Sequence, residues 1–379
     1  MTGTYWRLWW ASAVDALGDG AFTAAIPLLA TTLTPDSRLI AVLSAVTYLP
    51  WLLLSLPAGA LVDRCDRATL MWRTQTVQAL LTGTAAVLAA LHALTLPALA
   101  TIAFGLGACE VLFGNAAQAI LPDLVAKPLL PKANGYQQAI TTTGQQFAGP
   151  PLGSLLFAVS AALPLTLDAV TFALSAALLA TLPRHRPRQA GSTATGGLRW
   201  LLRHKLLRTL AALLAVNTFC AQLGNATLVL LATQTLHLST GGYGLLLTGA
   251  AVGSLLAGVL DVPARLGARR TLRLALVANA VIFIAIGLSP TALVLALLLA
   301  ANGFVTTLWN IVTVSLRQQL VPAGILGRVN SVYRLLGWGL MPFGALTGGL
   351  VAHLFGLRAP YPIAGLLRGL GLLAFWSGL

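Results

Sequence analysis

Apolar residues along this chain do not alternate, and they are not confined to one helical face. They come in runs of about 20, the length a helix needs to cross ~30 Å of hydrocarbon. Short clusters of charge, proline and glycine break the runs apart. Reading from break to break places spans at roughly 7–32, 39–62, 70–93, 97–120, 134–159 and 162–182. A second set falls at roughly 209–236, 242–264, 271–289, 291–315, 328–354 and 359–378. The pattern predicts an all-α polytopic membrane protein of twelve transmembrane helices.

Between the two sets lies "PRHRPRQAGSTATGGLRWLLRHKLLR", rich in Arg, Gly, Ser and Thr. It reads as a linker whose second part is a short basic amphipathic helix lying on the membrane surface. The organisation expected is a six-helix bundle over 1–183, a cytoplasmic basic linker over 184–208 and a second six-helix bundle over 209–379. The halves repeat. "LPKANGYQQ" matches "LGRVNSVYR", pairing Asn134 with Asn330, and Gly153 matches Gly349 at the same offset. Gly59 pairs with Gly258, and Asp19 in "LGDGAFTAAIPLLAT" pairs with Asn225 in "LGNATLVLLATQT". Internal repeats of this kind place a substrate site near the bilayer midplane between the halves, with rocking as the transport step.

Charge sharpens this picture. Only 8% of residues are charged, against roughly 25% in a soluble domain, so the chain cannot cover itself in water. The net charge of +14 would suit nucleic acid, but its placement argues otherwise. With a cytoplasmic N-terminus and twelve spans, all of the 23 basic residues except Arg38, Arg358 and Arg368 fall on the cytoplasmic side. That is the positive-inside pattern, and it sets both termini in the cytoplasm. The heavy use of Arg over Lys and of Ala and Leu points to a GC-rich bacterial genome, so the membrane expected is the bacterial inner membrane. Nucleic-acid binding is rejected. Cys65, Cys109 and Cys220 are scattered, so neither a disulfide framework nor a zinc site is implied. The "ASA" at 11–13 comes too early for a signal-peptide cleavage site.

Two of only nine acidic residues, Asp15 and Asp19, lie inside the first span. One helical turn apart, they face the same way. At 1.5 Å per residue they sit roughly 12–18 Å along a helix that starts near Arg7, close to the bilayer centre. A charged Asp there costs on the order of 2.5–3.5 kcal/mol, so the pair must face protein or water. Adjacent, partly desolvated carboxylates can take and release protons near neutral pH. The competing role is structural, with the pair bonded to neighbouring Ser, Thr or Asn groups.

At "GALVDRCDR" the chain resembles the major facilitator superfamily, whose helix 2–3 loop reads G-x-x-x-D-R-x-x-R; the matching residues are Gly59, Asp63, Arg64 and Arg67. "RLWWASAVDALGDG", "LPDLVAKPLLPKANGYQQ" and "LGRVNSVYRLLGWGLMPFGALTGG" further resemble the macrolide-efflux and siderophore-exporter branch of drug:proton antiporters. The resemblance implies two six-helix bundles around a cavity lined mainly by helices 1, 4, 7 and 10. It makes Gly59, Asp63, Arg64 and Arg67 a conformational latch: Gly59 permits close helix approach, and Asp63 caps the start of a neighbouring helix, taken to be helix 11. Asp66 departs from the family pattern, which has Gly there, and "DVPARLGARR" is a degraded second copy of the loop.

On the cavity helices the resemblance implies, Glu110 in span 4 joins Asp15 and Asp19 as a proton-coupling candidate, the alternative being a buried, hydrogen-bonded Glu. Asp168 resembles a family position and is read as structural. Arg368, mid-span in the last helix, is read as snorkelling past a short terminal helix rather than touching substrate. Asn217, Gln222, Asn225, Asn302, Asn310 and Trp309 lie on spans 7 and 10. Singly such amides act as interhelical glue; as a set they could line a mainly apolar pocket for an amphiphilic substrate.

There is no G-x-x-x-x-G-K-[ST], so a self-contained nucleotide-driven pump is excluded. No nucleophile or metal-ligand constellation supports an enzyme. The function expected is secondary active transport: proton-coupled efflux of a hydrophobic or amphiphilic small molecule (drug, macrolide or siderophore-like) by alternating access, with a drug-resistance role. It needs no cofactor or metal, and its partners are protons, the lipid bilayer and the small-molecule substrate of a monomer. Uniport or import of a small polar metabolite is the first alternative, and a non-transporting membrane sensor the second.

Overall fold

A computed structural model describes residues 3–126, 129–183, 195–260 and 262–375. Those residues are helical almost throughout, with no strand among them. In chain order the first helices are α1 (Gly3–Leu33), α2 (Ser37–Arg64), α3 (Arg67–Ala90), α4 (Leu96–Leu124) and α5 (Leu130–Thr141). A π-helical stretch, Thr142–Ala148, joins α5 to α6 (Gly149–Val159), and α7 (Ala162–Ala180) follows. The short α8 (Thr195–Arg203) is the amphipathic helix expected in the central segment. After it come α9 (Lys205–Asn225), α10 (Leu228–Leu230), a π-helical stretch Leu231–Thr235 and α11 (Thr240–Val259). The chain ends with α12 (Val262–Leu266), α13 (Ala268–Gly287), α14 (Ala292–Leu320), α15 (Ala323–Gly339), α16 (Met341–Phe355) and α17 (Pro360–Phe375).

Nine helical segments among the described residues are long and apolar enough to cross a membrane. Helix α3 falls short because its buried face carries Thr74, Gln75, Gln78 and Thr82. Helix α17 falls short on length alone. Counting the α5–α6 and α15–α16 pairs as single spans, and α9 with α10 and its π-turn as another, is consistent with twelve.

Local chemistry sets several boundaries. Asp66 has an extended backbone, and its carboxylate accepts the Thr69 N–H at 2.7 Å, capping α3. The departure from the loop pattern noted at Asp66 is therefore a helix cap. Thr95 caps α4 through the Ala98 N–H, and Thr291 caps α14 through the Val294 N–H. Thr95 and Thr291 stand at the same spacing as Asn134 and Asn330, so the repeat extends to capping chemistry. Pro150 and Pro151 have no N–H to give to the carbonyls one turn earlier. The π-helical stretch ends just before them, at Ala148.

The helices form two compact units. The first comprises residues 1–34, 46–190 and 239–248, and the second 35–45, 191–238 and 249–379. The first unit has a core of Tyr5, Leu8, Met71, Ile120, Leu124 and Leu179. The second has a core built on Leu207, Leu210, Leu272, Val312, Tyr333 and Leu372. Glycine lets α11 and α14 close on one another there: a Cβ on Gly253 would strike the Ala300 carbonyl, and one on Gly303 the Ala250 carbonyl. Large apolar side chains such as Leu80, Val87, Leu155, Val159, Leu293 and Leu297 point outward, the arrangement a lipid-facing surface requires.

Candidate functional site

Helix α1 is the axis of the first unit, packing against α7, α6, the π-helical stretch and α5. Asp15 is buried on it, and its Oδ1 accepts a hydrogen bond from Gln75 Nε2 of α3 at 2.9 Å. Asp19, one turn on and half-buried, accepts at Oδ2 from Gln145 Nε2 at 2.8 Å. Gln145 lies in the π-helical stretch, where the widened turn sets the amide donor. Both aspartates thus have a side-chain amide donor and, among the described residues, no ion pair.

Two further carboxyls converge on this pair. Glu110, the chain's single glutamate, is half-buried on α4 and interacts electrostatically with Asp15 and Asp19. Asp168 of α7 is fully buried and within the same electrostatic range of Asp15, Asp19 and Glu110. The structure therefore gathers the three proton-coupling candidates and adds Asp168, which sequence reasoning set apart as structural. The signal that marks Asp168 is its acidity inside an apolar run; its neighbours in space lie 58 (Glu110) to 153 (Asp15) residues earlier and leave no local pattern. Among the described residues no three or more His, Cys, Asp or Glu side chains are grouped so as to hold a metal ion.

The latch candidates divide. Arg67 pairs with Asp123 of α4, both largely buried. The side chains of Gly59, Asp63 and Arg64 fall outside the described positions. Asp123 was not singled out from the sequence; as the pattern's fourth position finds its acid here, α3 is tied to the end of α4.

The amide set lies in the second unit. Gln222 is buried and donates to Ser44 Oγ at 3.0 Å. Asn217 is half-buried, and its backbone carbonyl accepts from Arg368 Nη2 at 3.0 Å. Asn225 ends α9 and is exposed. On α14, Asn302 is half-buried and Trp309 is buried beside Leu210, Leu272 and Val312, while Asn310 is exposed. Neither Asn302 Oδ1 nor Trp309 Nε1 has a hydrogen-bond partner among the described residues.

Arg368 does not snorkel. It is 6% exposed, its guanidinium lies 3.8 Å from the centre of the Phe283 ring, and the Cys220 thiol sits beside it. Helix α17 packs against α13 and α9, and the side chain points into that junction rather than along the helix toward an end.

Sequence comparison bears on what this scaffold is. The family profile described as "transmembrane secretion effector" matches residues 2–377. No curated relative matches the sequence. Among solved structures, the nucleoside transporter NupG is similar over 100% of this chain and 99% of its own, at 14% identity and TM-score 0.78. A bacterial homologue of the iron transporter ferroportin, in an inward-facing state, matches at 18% identity and TM-score 0.76, covering 100% of this chain and 99% of its own. The human organic anion transporter MFSD10 matches at 19% identity and TM-score 0.69, with 99% and 100% covered. At such identities these likenesses show the fold, while the profile spans nearly the whole sequence: the chain belongs to the transmembrane secretion effector family of the major facilitator superfamily of transporters.

Proposed function

We propose that this transporter exports a hydrophobic or amphiphilic small molecule in exchange for protons. The observation that carries the reading is the gathering of Asp15, Asp19, Glu110 and Asp168 in one unit, with amide donors but, among the described residues, no ion pair at either aspartate of α1. Ionisable carboxyls within a membrane are costly and mark proton or ion pathways. In this reading Asp15, Asp19 and Glu110 take up protons on one side and release them on the other. The amides of α9 and α14, with Trp309, contact the cargo. The description of the family as secretion effectors favours the outward direction. The basic segments and both termini face the cytoplasm of a bacterial cell membrane, and the transporter works as a monomer. Cargo of the drug, macrolide or siderophore-like class fits the branch its sequence resembles.

Purified protein in liposomes tests this. An imposed pH gradient should drive accumulation of a fluorescent amphiphile, and a protonophore should abolish it. Asp15→Asn, Asp19→Asn or Glu110→Gln should uncouple flux from the gradient. Transport indifferent to the gradient would refute proton coupling.

A further inference from the structure

Of the three aspartates in the cluster, Asp168 alone has no donor. It is 0% exposed, and neither carboxylate oxygen has a hydrogen-bond partner among the described residues. Its neighbour Thr171 is no help, since that hydroxyl donates to the Asp168 backbone carbonyl at 2.8 Å. The carboxyl is pressed against the backbone of α1. A Cβ on Gly18 would lie 2.6 Å from Asp168 Oδ1 and would overlap Thr171 Oγ1. Gly18 is thus a point of close contact between α1 and α7, between the turns that carry Asp15 and Asp19.

Among the described residues no positive charge lies beside it. Helix α1 brings Asp15 and Asp19, with its Arg7 at the far end of α7 on the Thr181 carbonyl, and α4 brings Glu110. Helix α3 brings Thr74, Gln75, Gln78 and Thr82 to its buried face, while its Arg67 and Arg73 are confined to its first two turns. Helix α6 has no titratable residue. An ionised carboxylate at this spot would be desolvated, without donors and near three other acids. Burying such a charge costs several kcal/mol, and a group so placed neutralises by holding a proton.

We infer that Asp168 is a proton-binding site of the transport cycle, and that its carboxylic acid form is what allows α1 to close on α7 at Gly18. This deepens the proton-coupled reading above and rests on it. In the step proposed, α1 parts from α7 far enough to admit water, the Asp168 O–H bond breaks, its electron pair stays on the carboxylate and the proton passes to that water. The resulting charge needs donors that the closed contact lacks. Helix α1 therefore stays apart from α7, carrying Asp15 and Asp19 with it. Reprotonation restores the contact.

Infrared pH-difference spectra of the full-length protein in detergent test the site without requiring a known cargo. Wild type should show a carboxylic C=O band at the high wavenumber of an acid without hydrogen bonds, and Asp168→Asn should lose it. Asp15→Asn should keep it. Gly18→Ala keeps the acid but forces the helices apart, so its band should move to lower wavenumber as water reaches the group. Spin labels on α1 and α7 should report a pH-dependent separation in wild type that is lost in Asp168→Asn. A band unchanged in Asp168→Asn, or a separation that follows pH equally in that variant, would overturn the inference. The two readings fail separately. Gradient-driven transport that persists at the full wild-type rate in Asp168→Asn removes Asp168 from the cycle and leaves proton coupling standing. A titrating Asp168 band in a protein whose transport ignores the gradient removes proton coupling and leaves Asp168 as a pH-dependent contact.

Discussion

Gln75 of α3 hands its side-chain N–H to the buried carboxylate of Asp15 on α1, across 2.9 Å. Gln75 is itself 0% exposed, so the amide has no water to fall back on. Gln75→Leu should lower thermal stability by about 1–3 kcal/mol, the usual cost of stranding a buried polar group. Once Asp15→Asn is in place, the same change should cost a different amount, because the two residues share one bond. Thermal unfolding of the two single variants and the double variant measures that interaction. Strict additivity would mean the contact contributes nothing.

Tyr5 and Tyr333 make related contacts in the two units. Tyr5 Oη donates to the Ala133 carbonyl at 3.1 Å, joining α1 to α5, and Tyr333 Oη donates to the Leu207 carbonyl at 2.7 Å, joining α15 to α9. Both hydroxyls are buried. Tyr5→Phe and Tyr333→Phe should each cost about 1 kcal/mol, the net value of one such bond. Because the sites are in separate units, the double variant should show the sum within about 0.5 kcal/mol. A thermal-shift series on the three proteins checks both statements.

How far the sequence foretells this structure depends on the range of the interaction. The spans are legible because each is a run of apolar residues whose length the bilayer dictates, and Asp15 and Asp19 are legible because four residues make one turn. Helix α3 is harder, since Gln75 and Gln78 dilute its apolar signal, and Gln75 does so to reach Asp15 of α1. Gln145 is invisible to periodicity: it reaches Asp19 from a π-helical stretch ahead of Pro150 and Pro151. Asp168 and Arg368 are visible as charges in apolar runs, but what each one faces lies on helices far away in sequence. The snorkelling expected of Arg368 rests on its place in a short terminal helix; packing of α17 against α9 and α13 turns the side chain inward.

Arg67 and Asp123 form an ion pair with each side chain 16% exposed. Exposed pairs contribute about 0.2–1 kcal/mol, whereas breaking a buried pair by removing one member costs roughly 3–5 kcal/mol. This pair lies between those limits. Arg67→Met and Asp123→Asn should each destabilise by about 1–3 kcal/mol, and the double variant by less than their sum. The exchanged pair Arg67→Asp with Asp123→Arg should recover part of the loss. If the double variant is as unstable as the two losses added, the pair is not coupled.

Arg368 is buried in a unit whose membrane helices hold no acidic residue among those described; beyond Asp168 the only acidic residue in the sequence is Asp261. Its compensation comes from the Phe283 ring, the Asn217 carbonyl and the Cys220 thiol. A desolvated cation–π contact contributes about 2 kcal/mol, and removing a buried charge that has no counter-ion beside it returns a similar amount. Arg368→Met should therefore change stability by less than about 1 kcal/mol. Phe283→Ala should cost about 3–5 kcal/mol, since it empties a packed site and strips the charge of its ring. Thermal-shift measurements of both variants decide it, and a large loss in Arg368→Met would show that the guanidinium is a net structural anchor.

Asp36 sits immediately before α2, outside the membrane-spanning segments. Its Oδ1 accepts the Arg38 backbone N–H at 2.8 Å, and its Oδ2 pairs with Arg38 Nη2 at 2.8 Å. The Arg38 side chain, then the Arg38 backbone N–H, hold the Asp36 carboxyl down at about 2. An unfolded aspartate titrates near ~3.9, so the folded value is depressed. The stabilisation is therefore complete above the unfolded value and is lost as pH falls through about 2. Asp36→Ala should speed hydrogen exchange in the first turn of α2 at neutral pH, because that turn loses both its cap and a carboxylate near its positive end. Asp36→Asn should lie between the two, keeping an acceptor for the Arg38 N–H but not the charge. Salt should trim the wild-type advantage without abolishing it, since screening weakens the exposed ion pair while the backbone hydrogen bond remains. Compared at matched pH by mass spectrometry, the wild-type advantage over Asp36→Ala should shrink to that of Asp36→Asn only once the carboxyl is protonated. A protection difference that stays constant through that acid range would mean the carboxylate charge does not hold the start of α2.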